Sequence, residues 1–248
     1  MMRSLFRLAA LLLVATLSLQ LYFVLRIAAM AWIAPQSTTF QRSEIARIWH
    51  DRGVVPWAQA WVDDTAIADT LKRAVIAAED AGFVDHAGFD WEAIERAWER
   101  NQRAESMAAR QAARQTGQAI ARRRPPKIVG GSTITQQLAK NLFLTGERSI
   151  ARKAQEFVIA GALETLLTKR RILEIYLNHV EWGEGVFGAQ AASRHYYRVD
   201  ASRIGTAAAA RLAVMLPSPK LFERRPNSVY IASRAATVAA RMDDVELP

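Results

Sequence analysis

The chain has 248 residues, 51% of them hydrophobic, a formal net charge of +9 and no cysteine. That is enough apolar material for one substantial core or one domain with an appendage, and too little for two large domains. Disulfides, thiolate nucleophiles and Cys-ligated zinc are excluded, while the excess of Lys and Arg points to an anionic partner: nucleic acid, a phospholipid surface or a phosphorylated substrate.

The first element is apolar. Leu8 to Leu25 is an uncharged run of 18 residues, about the minimum for a helix crossing a hydrocarbon core. It predicts a retained anchor over residues 1–33, with Arg26 able to snorkel. The alternative is a cleaved leader, because Ala29, Met30 and Ala31 form an A-x-A site. Arg3 and Arg7 favour a cytoplasmic N-terminus, and Arg26 and Arg42 beyond the run weaken that vote. Either way the rest of the chain is exported.

A polar, proline-containing stretch, "APQSTTFQ", reads as a stalk over 34–45, and residues 46–248 form the domain. Its pattern is all-α. Leu71, Ala74, Val75 and Ala78 recur at helical spacing until Gly82 stops the run. "SIARKAQEFVIAGALETLL" is apolar from Phe157 to Leu163, which predicts a helix buried on most sides. "RRILEIYLNHV" and "AAAARLAVML" add further helices. From Arg100 to Lys127 there are eight basic residues and one acid, Glu105, with few large apolar side chains, so a basic insertion at about 100–127 is expected to lie on the surface, either solvated or against anionic lipid.

Three stretches can carry chemistry. Glu79 falls four residues after Val75, inside the apolar stripe of its helix, and points inward or into a cleft. Burial and the negative end of the helix both favour its protonated form and make it a stronger base than an exposed glutamate. It either pairs with a core arginine or abstracts a proton from a hydroxyl. In "GGSTITQQLAKNLFL", Thr133 and Gln136 form a capping box, and Gln137, Lys140 and Asn141 share a polar face opposite Leu138 and Leu142. That face is either solvated or binds a polyhydroxylated or phosphorylated ligand. In "GERSIARKAQE", Ser149 is the N-cap and Arg148, Arg152 and Lys153 crowd the positive end of the next helix, an arrangement that opposes the macrodipole and suits a pyrophosphate. Glu156 follows them at i+4 and i+3. The Gly183, Gly185 and Gly188 turn either lines a cleft or joins two helices. His50, His86, His179 and His195 have no metal-ligand spacing.

In order and wording these stretches resemble the peptidoglycan glycosyltransferases of lysozyme-like fold, family 51. Glu79, Asp80, Phe83, His86 and Gly88 are similar to its Glu-Asp-x-x-Phe-x-x-His-x-Gly motif, Gly130 to Gln137 to Gly-Gly-Ser-Thr-Ile-Thr-Gln-Gln, Arg152, Lys153 and Glu156 to Arg-Lys-x-x-Glu, and Ile172 to Asn178 to Ile-Leu-Glu-x-Tyr-Leu-Asn. The resemblance covers roughly residues 71–222. Ser-x-x-Lys and Lys-Thr-Gly are missing, so the chain looks like the monofunctional form without a transpeptidase domain. The segment between the first two motifs is longer than usual, and Ala208 stands where the family usually has Glu or Gln.

The resemblance implies a single-pass protein of the bacterial inner membrane with its domain on the periplasmic side. It implies extension of nascent glycan from lipid II, with transfer of the lipid-linked chain to the 4-hydroxyl of GlcNAc and inversion. Glu79 is then the general base, Glu156 the second acidic residue of the catalytic pair, orienting the cations or else contacting the leaving phosphate through a divalent metal, and Ser132, Thr133, Gln137, Lys140, Asn141, Arg148, Arg152 and Lys153 bind substrate. Mg²⁺ or Mn²⁺ is the expected cation, with Asp80 as its ligand, and no organic cofactor is expected. Other cell-wall synthesis proteins are candidate partners; nucleic acid is not. The competing classes are a lysozyme-like hydrolase working with two carboxylates and a non-catalytic membrane protein that binds anions through residues 100–127.

Overall fold

The computed structural model describes residues 2–113, 131–147 and 149–248. Gly130, Arg148 and the 114–127 part of the basic insertion lie outside the described residues. The chain is mostly helical with a lysozyme-like domain.

Helix α1, Met2–Ala29, is exposed along nearly all its length and is long and apolar enough to cross a membrane. Its C-terminal part is different in kind. Phe23, Ile27 and Met30 are buried against the domain, Phe23 meets Phe143 edge-on at 5.2 Å, and Gln20 and Gln155 exchange amide hydrogen bonds of 2.8 and 3.0 Å.

Next comes α2, Thr39–Arg52. The expected stalk over 34–45 is corrected here: Thr38 caps α2 through a full capping box with Gln41, and Thr38, Gln41 and Glu44 are buried. A T-x-x-Q pattern satisfies two helix-terminal amides at once, so the polar letters read as linker are a helix start.

The core is built around α7, Lys169–His179, in which every residue from Ile172 to His179 is buried. A helix covered on all sides is a central one. Helix α6, Ile150–Leu166, was the one expected to be buried on most sides. In fact α6 turns Ile159, Ala160 and Leu163 inward and leaves Val158 55% exposed, because its second apolar face lies at the surface beside α1. Helix α3, Asp69–Glu79, packs Leu71, Ala74 and Val75 against α9, Thr206–Met215, whose Ala209, Ala210 and Ala213 let the two approach closely. Ala208 is half-buried on this helix. Helix α11, Val229–Ala239, covers the pair. Helix α10 (Pro219–Glu223) touches α9, and α8 (Ala189–Tyr197) lies against α7.

A three-stranded sheet, too short for any alternation to show, has the order β1 (Ala58–Gln59), β3 (Val186–Phe187), β2 (Glu181–Gly183). β1 runs parallel to β3 and β2 antiparallel to it. Its turn needs Gly185: φ is +76°, and a Cβ there would fall 1.8 Å from Pro56 O.

Glu181 on β2 is buried with its Oε1 3.4 Å from Lys220 Nζ. Burial pushes its pKa from 4.5 up to about 7, against the pull of Lys220 and with the help of Glu44. Between these values the folded chain holds a proton that the unfolded chain releases, so stability falls as pH rises toward 7 and the full cost stands above it. Glu181→Gln is expected to raise Tm at pH 8 by about 4–8 °C, for a relief of about 2 kcal/mol, with the gain shrinking toward pH 5. Equal melting of variant and wild type at pH 8 would remove Glu181 as the source.

Helix α4, Trp91–Ala113, carries the first part of the basic insertion as regular helix, with exposed Arg100 and Arg103 and a Glu99–Arg103 pair of 2.9 Å.

Candidate active site

The site forms where α3 ends against the start of α5, Ile134–Phe143. Glu79 is the last residue of α3 and Asp80 its C-cap. Asp80 is buried and both oxygens are used: Oδ1 lies 2.8 Å from His86 Nε2, and Oδ2 accepts the Ile134 N–H at 2.9 Å. His86 Nδ1 accepts from Gly88 N–H at 3.1 Å, so the imidazole donates to Asp80 from Nε2. Asp80 therefore ties the first motif to the N-terminus of α5, where a carboxylate meets free amides and the positive helix end.

The donor set does not suit the divalent cation expected at Asp80. Its lone pairs face an imidazole and a backbone amide, and among the described residues no group of three or more His, Asp or Glu is arranged to hold a metal. Thr133 is corrected on similar grounds. Its hydroxyl donates to Gly88 O at 2.7 Å and accepts from Gln136 N–H at 3.2 Å, so it binds the protein rather than a ligand. Gly88 makes this contact possible at φ +84°, in a space where a Cβ would lie 2.9 Å from Glu164 Cγ.

Gln137 was expected to bind substrate, and the structure directs its amide onto Glu79 instead. Nε2 donates to Glu79 Oε2 at 2.8 Å, while Oε1 accepts from the Tyr176 hydroxyl at 3.0 Å. Tyr176 is fully buried on α7, and burial holds its pKa well above the ordinary value. The phenol stays protonated and keeps the amide in the orientation that offers N–H to the carboxylate. The pKa of Glu79 is raised, chiefly by burial; Gln137 and then Lys140 oppose the rise, and Asp80 adds to it.

Lys140 stands on the exposed side of α5. Protein around its ammonium lowers its pKa, Arg152 and Lys153 push the same way, and Glu156 and Glu79 push back. At the N-terminus of α6, capped by Ser149, the buried Glu156 accepts from Arg152 Nη1 at 2.8 Å through Oε2 and pairs with Lys153 Nζ through Oε1. Arg152 Nε is buried and has no partner among the described residues. Asn141 is half-buried beside Lys140.

A cavity of about 770 Å³ opens on Glu79, bounded by Ser132, His86, Trp91 and Arg96. Lys140, Arg152 and Lys153 do not line it. Glu79 belongs to both neighbourhoods: it faces the cavity and lies within electrostatic reach of Lys140. The structure thus brings Glu79, Lys140, Arg152, Lys153 and Glu156 together, puts Ser132 on the cavity wall, and turns Asp80, Thr133 and Gln137 to holding the others.

A family model described as Transglycosylase matches residues 50–243. The chain belongs to the transglycosylase family. It is 48% identical over 234 residues to a biosynthetic peptidoglycan transglycosylase of Burkholderia thailandensis, covering 94% of this chain and 84% of that one. With the protein of the same name from Paraburkholderia phytofirmans it shares 46% over 242 residues, 97% of this chain and 92% of the other. With that of Bordetella pertussis it shares 47% over 231 residues, 92% and 89%. The chain is an enzyme, a transglycosylase of peptidoglycan synthesis, with one N-terminal helix fit to anchor it in a membrane. Tyr176, whose hydroxyl holds Gln137, had no role assigned from the sequence of this transglycosylase. The signal was its place in the Ile-Leu-Glu-x-Tyr-Leu-Asn motif.

Proposed function

We propose that the transglycosylase polymerises glycan from lipid II, transferring the lipid-linked chain from its undecaprenyl pyrophosphate to the 4-hydroxyl of an acceptor GlcNAc with inversion. The observation that carries the reading is the juxtaposition of a half-buried, amide-held Glu79 with Lys140 and the Arg152–Glu156–Lys153 nest. Glu79 takes the proton as the acceptor O4 forms its bond to the donor C1. The C1–O bond to the diphosphate breaks, and the leaving group departs with the electron pair toward Lys140, Arg152 and Lys153. Glu156 keeps two of those cations in place. With both its oxygens in ion pairs it is poorly suited to activate water, which disfavours the two-carboxylate hydrolase. Ser132 and Asn141 offer polar contacts to the sugars. An N-terminus in the cytoplasm places the domain in the periplasm, where a protease added to spheroplasts would digest it.

Purified full-length protein incubated with lipid II in detergent is expected to yield muramidase-sensitive glycan polymers; fragments released from mature sacculus with no polymer would overturn the reading. Gln137→Leu removes the donor that holds the pKa of Glu79 down. Because the base must be ionised, the acid limb of kcat/KM is expected to move to higher pH, with about a tenfold loss at neutral pH. An unmoved acid limb would mean that Gln137 does not set the titration of the base.

A further inference from the structure

A second arginine-bearing pocket lies where α1 leaves the membrane. It encloses about 340 Å³ and is bounded by Arg26, Met30, Ile33, Pro35, Ser37 and Arg42. Arg42 is braced: Nη1 donates to Ser37 Oγ at 3.0 Å and Nη2 to Thr39 Oγ1 at 3.1 Å. Among the described residues Arg26 meets Tyr22, its hydroxyl at 3.5 Å and its ring at 5.9 Å. Among the described residues neither arginine has an acidic partner, whereas Arg47, Arg152, Arg170 and Arg171 all do. The first turn of the adjoining α2 carries no acid either. Two guanidinium groups gathered at one pocket without a counter-charge repel each other, and an anion between them removes that cost.

The position of the pocket identifies the anion. The uncharged run of α1 ends at Leu25, and Arg26 is the next residue of a helix that rises about 1.5 Å per residue. With α1 spanning the bilayer, Arg26 enters the headgroup layer, which extends about 5–7 Å beyond the hydrocarbon on each side. Just beyond it Trp32 is 85% exposed and Ile33 67%, the placement of an interfacial aromatic with an apolar neighbour. We propose that the Arg26–Arg42 pocket binds the phosphate of an anionic membrane phospholipid. It is separate from the Lys140–Arg152–Lys153 nest, none of whose residues line it.

The test uses the full chain in phosphatidylcholine vesicles carrying a trace of spin-labelled phosphatidylglycerol, and reads the motionally restricted fraction. Wild type is expected to prefer phosphatidylglycerol to phosphatidylcholine. R26Q, which disturbs no contact beyond Tyr22, should reduce the preference about fivefold, and R26Q/R42Q about 25-fold, as expected for roughly 1 kcal/mol per basic residue near the surface. R224Q/R225Q, which makes the same charge change at two exposed arginines outside the pocket, should leave it intact. Equal losses in the two double variants would overturn the proposal in favour of diffuse surface charge. Absence of any preference in wild type would also overturn it. Displacement of the label by inorganic phosphate would assign the pocket to free phosphate instead of a lipid headgroup.

Discussion

Glu79→Gln is expected to lower kcat for polymerisation by about 10²- to 10⁴-fold, the usual worth of a positioned general base, with little change in KM. The substitution is nearly isosteric and leaves an amide facing the Gln137 amide, so the loss is one of proton acceptance more than of shape. The rise in the pKa of Glu79 comes from burial against the opposing hydrogen bond of Gln137. Wild-type activity should therefore fall on the acid side at a pH above that of an exposed glutamate, and this limb should vanish in the variant. Steady-state kinetics on lipid II across pH reads both effects. Full polymerisation by Glu79→Gln would take the base assignment away and leave the acid as a packing residue.

Asp80→Ala tests stability where Glu79→Gln tests chemistry. The carboxylate is 7% exposed and bridges His86 and the Ile134 amide. Removing it leaves an imidazole N–H and a helix-terminal N–H unpaired in the interior, a loss of about 3–5 kcal/mol. For a chain of this size that corresponds to about 6–20 °C in Tm. Activity should fall in step with folding, and added Mg²⁺ or Mn²⁺ should not restore it. A variant that melts like wild type but needs more cation for turnover would reinstate Asp80 as a metal ligand.

What the sequence disclosed was mainly what neighbours in the chain decide. The capping box at Thr133 and Gln136 and the Ser149 cap are patterns four residues long, and both stand in the structure. The inward turn of Glu79 followed from the period of α3. The motifs carried the family, which the matched region and the relatives then showed. Roles decided by distant partners stayed hidden. Asp80 reads as a cation ligand until Ile134, 54 residues on, brings its amide to it. Gln137 reads as a substrate-binding amide until Tyr176, 39 residues on, fixes its orientation toward Glu79. The central place of α7 was missed because Glu174, Asn178 and His179 make it look amphipathic. Their polar atoms are largely met inside: Glu174 accepts the Asp64 N–H, and Asn178 bonds both the N–H and the C=O of Val62. Thr38 and Gln41 were legible in principle, but proline and serine nearby drew the reading toward linker.

The mutual amide pair between Gln20 and Gln155 has a mechanical corollary. Gln155 precedes Glu156, the residue that clasps Arg152 and Lys153, and Arg171 Nε further fastens the exit of α1 by donating to Met30 O at 2.7 Å. The domain is thus bolted to its anchor rather than tethered by a leash, and the height of Glu79 over the bilayer is set by side-chain contacts. Under the proposed function a lipid-bound sugar meets Glu79 at a fixed altitude, and cutting the Gln20–Gln155 pair and the Arg171–Met30 bond would loosen that aim without touching any group proposed to react.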